Sequence, residues 1–195
     1  MDSGELLERY AAGERDFRGA FLFCAGLSRA TRLGGRLLYR SLFGAFLTSA
    51  NLECVNLQGA FLTSANLQGA NLQDANLEGT NLDCTNLQGA NLQGANLQGA
   101  SLGCANLSDA NLQGANLSGA FLTNANLSGA NLSGANLSAV NLRDADLSGV
   151  NVHKTQFKNN LGISEQMKLD LKRRGAVFLD SPGELYLVVT RMSLS

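Results

Sequence analysis

The sequence lacks most of the residues on which catalytic and metal sites are built. Tryptophan is absent, proline and histidine occur once each, and the four cysteines form no C-x-x-C pair. The single histidine, His153, has no repeated carboxylate beside it, and no nucleophile elbow, P-loop or H-E-x-x-H motif occurs. We therefore expect no catalytic residue, no cofactor, no metal site and no enzymatic activity. We expect free thiols at Cys24, Cys54, Cys84 and Cys104.

Long apolar runs and a strong net charge are also missing. No stretch approaches the roughly 20 apolar residues of a membrane helix, and the acidic start MDSGELLERY does not have the pattern of a signal peptide. The formal net charge is −1, so the chain as a whole does not attract nucleic acid or anionic lipid. We expect an intact cytoplasmic chain that binds neither a membrane nor nucleic acid.

In place of these features the sequence has a repeat of five residues. With the central residue of each unit numbered i, the centres run from Phe17 to Phe157, and 25 of the 29 are leucine. Position i−2 is mostly Ala, i−1 mostly Asn, i+1 mostly Gln, Ser or Thr, and i+2 often Gly. Five residues fit neither a helix nor a continuous strand, so each unit predicts a short extended piece and a bend. Residues i−2 and i then share the inner face, and four units close a coil of 20 residues.

The run TNLQGANLQGANLQGA, from Thr85 to Ala100, resembles the pentapeptide-repeat family, whose signature is A-(D/N)-L-x-x. The resemblance implies an all-β solenoid, a right-handed quadrilateral parallel β-helix, here of about seven coils with short helical caps at the ends. The segments on either side of the repeat resemble those of cyanobacterial members. The family likeness also implies a chain without catalytic function.

The chain divides into three segments. Residues 1–14 predict an N-terminal helical cap, residues 15–159 the repeat, and residues 160–195 a C-terminal helix and tail. Ser164 is the expected N-cap of the C-terminal helix, and Gly175 follows the end of that helix. The later stretch ELYLVVTRM predicts either a short strand or a tail that is ordered only in an assembly.

Residues 30–44 break the repeat. Arg32 falls on an inward centre and Arg40 on a site that requires a small residue, and burial of an unpaired guanidinium is costly. We expect this stretch to bulge, to shift its register or to leave the coil. Its arginines form either a basic element for an acidic partner or a solvated surface.

Phenylalanine replaces the usual Asn in GAFLTSANL, at Phe46 and again at Phe61. Position i−1 points outward, so these rings predict an interaction surface on the N-terminal coils. We expect it to contact a protein partner, a second copy of the chain as a homo-oligomer, or the N-terminal helix. The candidate residues are Phe21, Phe23, Phe43, Phe46, Phe61, Arg29, Arg36 and Arg40.

Two functions fit these observations. The first is a structural or protein-interaction scaffold without catalysis. The alternative is a DNA mimic that inhibits or protects DNA gyrase, as family members of the quinolone-resistance type do. Residues 41–142 hold acidic side chains and no lysine or arginine, which suits a DNA mimic, but the acids are few and scattered.

Overall fold

The computed structural model describes residues 42–179, together with Glu5, Glu8, Arg9 and residues 12–14. Residues 42–161 form a parallel coil in which each unit pairs with the unit 20 residues further along the chain. Since 20 residues hold four units, each turn of the coil has four sides. The predicted count of about seven coils includes residues 15–41, which lie outside the described part.

The core is a stack of leucine and alanine, as the register predicts. Every central leucine from Leu42 to Leu142 is at most 2 % exposed, and the alanines at i−2 are buried beside them. Each buried leucine contributes about 1.5–3 kcal/mol before the cost of ordering the chain is subtracted. Threonine replaces alanine at Thr80, Thr85 and Thr155, where each buried hydroxyl donates to a leucine carbonyl of the preceding coil.

Hydrogen bonds satisfy the five backbone N–H groups of a regular unit. Two N–H groups donate to the following coil, one to the preceding coil and one across the corner, and the N–H of position i+1 donates to the side chain of the Asn at i−1. In the unit centred on Leu67 the partners are Asn66 N to Ala45 O, Leu67 N to Asn86 O, Gln68 N to Asn66 Oδ1, Gly69 N to Gln88 O and Ala70 N to Leu67 O. Asn therefore completes the bonding of its own corner.

Each corner turns at position i+2, where the backbone is left-handed. All corners from Gly44 to Asn159 have φ between +51° and +70°, and twelve of these residues are glycine while twelve are not. The expected positive φ is thus present, and it does not depend on glycine. Because neighbouring coils impose the corner through their hydrogen bonds, short polar residues and even Ala139 accept this conformation.

Regular strands are fewer than a β-helix leads one to expect. The strands are β1 (Asn136–Ser138), β2 (Gln156–Lys158) and β3 (Val177–Phe178), and they pair in parallel in the order β1-β2-β3. Elsewhere in the described coil the pairing consists of single parallel bridges at position i−1. The corner begins two residues after each bridge, so the extended piece is too short for a longer ladder.

A helix, α1 (Glu165–Arg173), follows the last unit of the coil. The side chain of Ser164, the predicted N-cap, accepts a hydrogen bond from Met167 N at 3.2 Å. Leu171 of α1 is buried against the core, and β3 then places Phe178 on Phe157 with ring centroids 4.9 Å apart. At the other end of the chain, Glu5, Glu8 and Arg9 are helical and Ala12 and Gly13 form a turn, while the remaining residues of the predicted N-terminal cap lie outside the described residues.

Candidate interaction surface

The four sides of the coil differ in the residues at position i−1. Three sides present asparagine in long columns, and the fourth is interrupted. We name each side after one residue: the Asn51 side (Asn51, Asn71, Asn91, Asn111, Asn131, Asn151), the Asn56 side (Asn56, Asn76, Asn96, Asn116, Asn136, Gln156), the Asn66 side (Phe46, Asn66, Asn86, Asn106, Asn126, Asp146) and the Phe61 side (Phe61, Asn81, Ser101, Phe121, Asn141).

Asparagine side chains bond to one another along three of these sides. On the Asn51 side each Nδ2 donates to the Oδ1 of the Asn one coil earlier, over distances of 3.0–3.4 Å. The Asn56 and Asn66 sides have the same bonds at 3.2–3.5 Å. The side chains are half-buried along most of each column, so they belong to the wall of the coil and are less outward than position i−1 suggested.

The Phe61 side uses other contacts in place of the asparagine column. Phe61 replaces the Asn of its unit and cannot accept a hydrogen bond from Asn81 on the next coil. Instead, Thr63 Oγ1 of the same unit donates to Asn81 Oδ1 at 2.8 Å. One coil later, Asp83 Oδ1 accepts Ser101 Oγ at 2.7 Å and Gly103 N at 2.8 Å. In most units the Asn at i−1 accepts the N–H of position i+1. Ser101 occupies i−1 here and is too short to do so, so the Asp83 carboxylate accepts the N–H of Gly103 instead.

Phenylalanine rings are exposed at three of the four described positions where the sequence predicts an outward ring. The exposed fraction is 56 % for Phe43, 46 % for Phe46 and 54 % for Phe121, whereas Phe61 is half-buried. Phe43 and Phe46 lie on either side of one corner, at the start of the described coil, and Phe121 lies alone far along the Phe61 side. The other predicted surface residues, Phe21, Phe23, Arg29, Arg36 and Arg40, fall outside the described residues.

Two of the cysteines occupy equivalent corners on successive coils. Cys84, Cys104 and Cys54 are exposed and form no disulfide, while Cys24 lies outside the described residues. Local desolvation raises the pKa of the Cys84 thiol above its ordinary value, and both the neighbouring Cys104 and the Asp83 carboxylate raise it further. The Cys84 thiol is therefore a weakly nucleophilic surface group at neutral pH.

An open groove of about 570 Å³ separates the last coil from α1 on the Asn66 side. Residues 145–148 form one wall, and Met167, Leu171 and Arg174 contribute to the other. The Asp146 carboxylate lies at the rim, where hydrogen bonds from the backbone and side chain of Ser148 lower its pKa. One residue of the repeat marks this groove, since Asp146 replaces the usual Asn.

Within the described residues, no group of three or more His, Cys, Asp or Glu side chains is placed to hold a metal ion. His153 is exposed beside the Gly175 that follows α1. No helix in this part of the chain is long and apolar enough to cross a membrane.

The coil defines a solenoid of five-residue units, four to each turn. The model of the pentapeptide repeats matches residues 41–69, 70–103, 90–129, 105–144 and 125–159, which is more than half of the chain. The protein therefore belongs to the pentapeptide-repeat family. Members of known structure fold as right-handed quadrilateral β-helices. No curated protein shows a significant match to the sequence.

Several solved structures are similar to this chain. A pentapeptide repeat protein of the Arabidopsis thaliana thylakoid lumen is 28 % identical, with 65 % of this chain and 83 % of that chain covered and a TM-score of 0.43. HetL, involved in heterocyst differentiation regulation in the cyanobacterium Nostoc, is 31 % identical, with 83 % and 90 % covered and a TM-score of 0.34. QnrB1, a plasmid-mediated fluoroquinolone resistance protein, is 20 % identical, with 92 % and 88 % covered and a TM-score of 0.43.

Proposed function

We propose that this protein is a non-catalytic scaffold that binds another protein through the phenylalanines at the start of the described coil. The exposure of Phe43 and Phe46 carries the proposal. Exposed aromatic side chains that lie close together are typical of protein-binding surfaces, because their burial supplies much of the binding energy. The cytoplasmic location of the chain stays a prediction.

The construction of the coil supports a scaffold. Leucine and alanine fill the described interior, so the four sides offer no deep cleft for a small substrate. The asparagine columns bond to themselves and to the backbone, so that much of their hydrogen-bonding capacity is used inside the wall. Binding energy is then concentrated at the few positions where the column residue is not asparagine.

A DNA mimic has less support from the same geometry. Ranks of carboxylates would be needed to imitate phosphates, and the columns of the described coil carry asparagine, with Asp only at Asp146. Stacked aspartates at the spacing of the asparagine bonds would also repel each other. A supercoiling assay with purified gyrase tests this alternative, and inhibition or protection at micromolar protein would favour it over the scaffold.

The scaffold proposal predicts that Phe43→Asn with Phe46→Asn weakens protein binding. Phe121→Asn is the matched control, because Phe121 occupies the same repeat position as Phe46 with a similar exposed fraction. We suggest analytical ultracentrifugation for self-association and affinity capture with quantitative mass spectrometry for other partners. We expect the double variant to lose association that the wild type and Phe121→Asn retain.

Unfolding curves of all three proteins separate binding from stability. The proposal is contradicted when the double variant is folded and keeps every association of the wild type. Equal losses in the double variant and in Phe121→Asn would also count against a surface located at the first described coil.

A further inference from the structure

One side of the last coil has an unpaired backbone edge. One coil earlier, Leu127 N donates to Asp146 O at 2.9 Å. In the last coil, the N–H groups of Leu147 and Gly149 and the carbonyl of Ala145 have no hydrogen-bond partner among the residues that the structure describes. This open edge lies on the Asn66 side, along the groove between the coil and α1.

The neighbouring sides of the same coil are covered at several points. On the Phe61 side Leu142 N donates to Leu161 O at 2.8 Å, and at the corner between the Asn51 and Asn56 sides Lys154 N donates to Gly175 O at 2.8 Å. The guanidinium of Arg174 donates to the carbonyl of Val150. The edge on the Asn66 side has none of these covering bonds, and an open edge readily accepts an added strand.

The groove beside this edge is partly apolar. Leu147 is 7 % exposed, more than the central leucines before it, and Ala145 is only half-buried. Met167 and Leu171 of α1 face the same space. An extended segment with one apolar row would cover these side chains while it pairs with the backbone edge.

We propose that residues 184–190, ELYLVVT, add this strand within the same chain. The segment is rich in β-branched and aromatic residues, and its side chains alternate so that Leu185, Leu187 and Val189 share one face. Leu187 is the central member of that apolar row.

Residues 184–190 are close enough in sequence to the end of the described chain to reach the open edge on the Asn66 side. Leu179 N donates to Phe157 O at 2.9 Å, so the chain still follows the coil there, on the Asn56 side. If the chain kept five residues to a side, two further corners would bring it to the Asn66 side near residue 187. Eight extended residues span up to about 26 Å, which is ample for that path.

Amide hydrogen exchange of the full chain, read by NMR, tests the strand. The amides of Leu147 and Gly149 are protected in the wild type, and Leu187→Asp accelerates their exchange about tenfold or more. Leu194→Asp, the same substitution outside the segment, leaves both rates unchanged. The amide of Leu127, which is bonded within the coil, reports whether the variants remain folded. Unprotected Leu147 and Gly149 in the wild type, or rates that Leu187→Asp does not change, would overturn the proposal.

A photo-crosslink tests the same contact without disrupting it. With p-benzoylphenylalanine in place of Tyr186, we expect adducts within one chain on residues 145–148 or on α1. Adducts formed only between chains, and increasing with protein concentration, would assign the groove to a second copy and overturn the intramolecular strand. Adducts confined to other parts of the chain, or none, would overturn it as well.

Discussion

Asn91 donates a hydrogen bond from its Nδ2 to the Oδ1 of Asn71 on the preceding coil, over 3.0 Å. The Oδ1 of Asn91 in turn accepts the backbone N–H of Gln93 at 3.3 Å and the Nδ2 of Asn111 at 3.1 Å. One side chain thus caps its own corner and joins three successive coils. The asparagine columns therefore contribute to the cohesion of the stack as well as to local turn formation.

Asn91→Ala should destabilise the protein by removing all three of these bonds. Asn141→Ala is the matched control, because Asn141 Oδ1 accepts Arg143 N at 3.2 Å but, among the described residues, its side chain makes no bond to another asparagine. We expect Asn91→Ala to lower the free energy of unfolding by about 1–2 kcal/mol more than Asn141→Ala does. Urea denaturation followed by circular dichroism measures the difference, and equal midpoints would contradict a structural role for the columns.

Gly162→Ala should destabilise the protein at the point where the chain leaves the coil and continues to α1. A Cβ at Gly162 would lie 2.6 Å from the Cα of Arg143, and the residue has φ +86°. Gly99→Ala provides the control, because Gly99 has φ +64° and no heavy atom lies within 4 Å of its added Cβ. Both variants incur the backbone strain, but only Gly162→Ala incurs the clash, so it should be less stable by about 1–3 kcal/mol. Equal unfolding midpoints for the two variants would contradict this prediction, because they would show that the segment between the coil and α1 adjusts to the added Cβ without loss of stability.

Cys84 should react slowly with iodoacetamide in the folded protein. Desolvation, Cys104 and Asp83 raise the pKa of its thiol, so less thiolate is present at a given pH than an ordinary cysteine provides. Cys104→Ala removes a neighbour that raises this pKa and should accelerate alkylation of Cys84 at about pH 8 by a few-fold. Cys54→Ala should leave the rate unchanged. Peptide mapping measures the modified fraction over time, and an unchanged Cys84 rate in Cys104→Ala would contradict the coupling.

The inward register could be predicted from the sequence because it follows from spacing. Ala at i−2 and Leu at i recur in a fixed phase, and the two positions share one face of any extended piece. Burial of both sets confirms this prediction. The outward position of Phe46 and Phe121 follows from the same phase and is confirmed by their exposure.

The exposure of the candidate surface residues was predictable only in part. Exposed Phe43 and Phe46 agree with the expectation, whereas Phe61 is half-buried, because the local packing of a ring is not encoded in its repeat position. Whether these residues bind a partner stays a prediction. The open edge of Leu147 and Gly149 could not be read from the repeat, because their unit resembles its predecessors.

The family, the five-residue period and the identity of the core follow from the amino-acid sequence alone. These depend on which residues recur in phase, and hydrophobic burial selects a single register. The three-dimensional structure was needed to see what each asparagine bonds to, why non-glycine corners such as Cys104 accept a positive φ, and where the stack remains open. Each of these depends on the coil above or below, so it is fixed by contacts between residues about 20 positions apart.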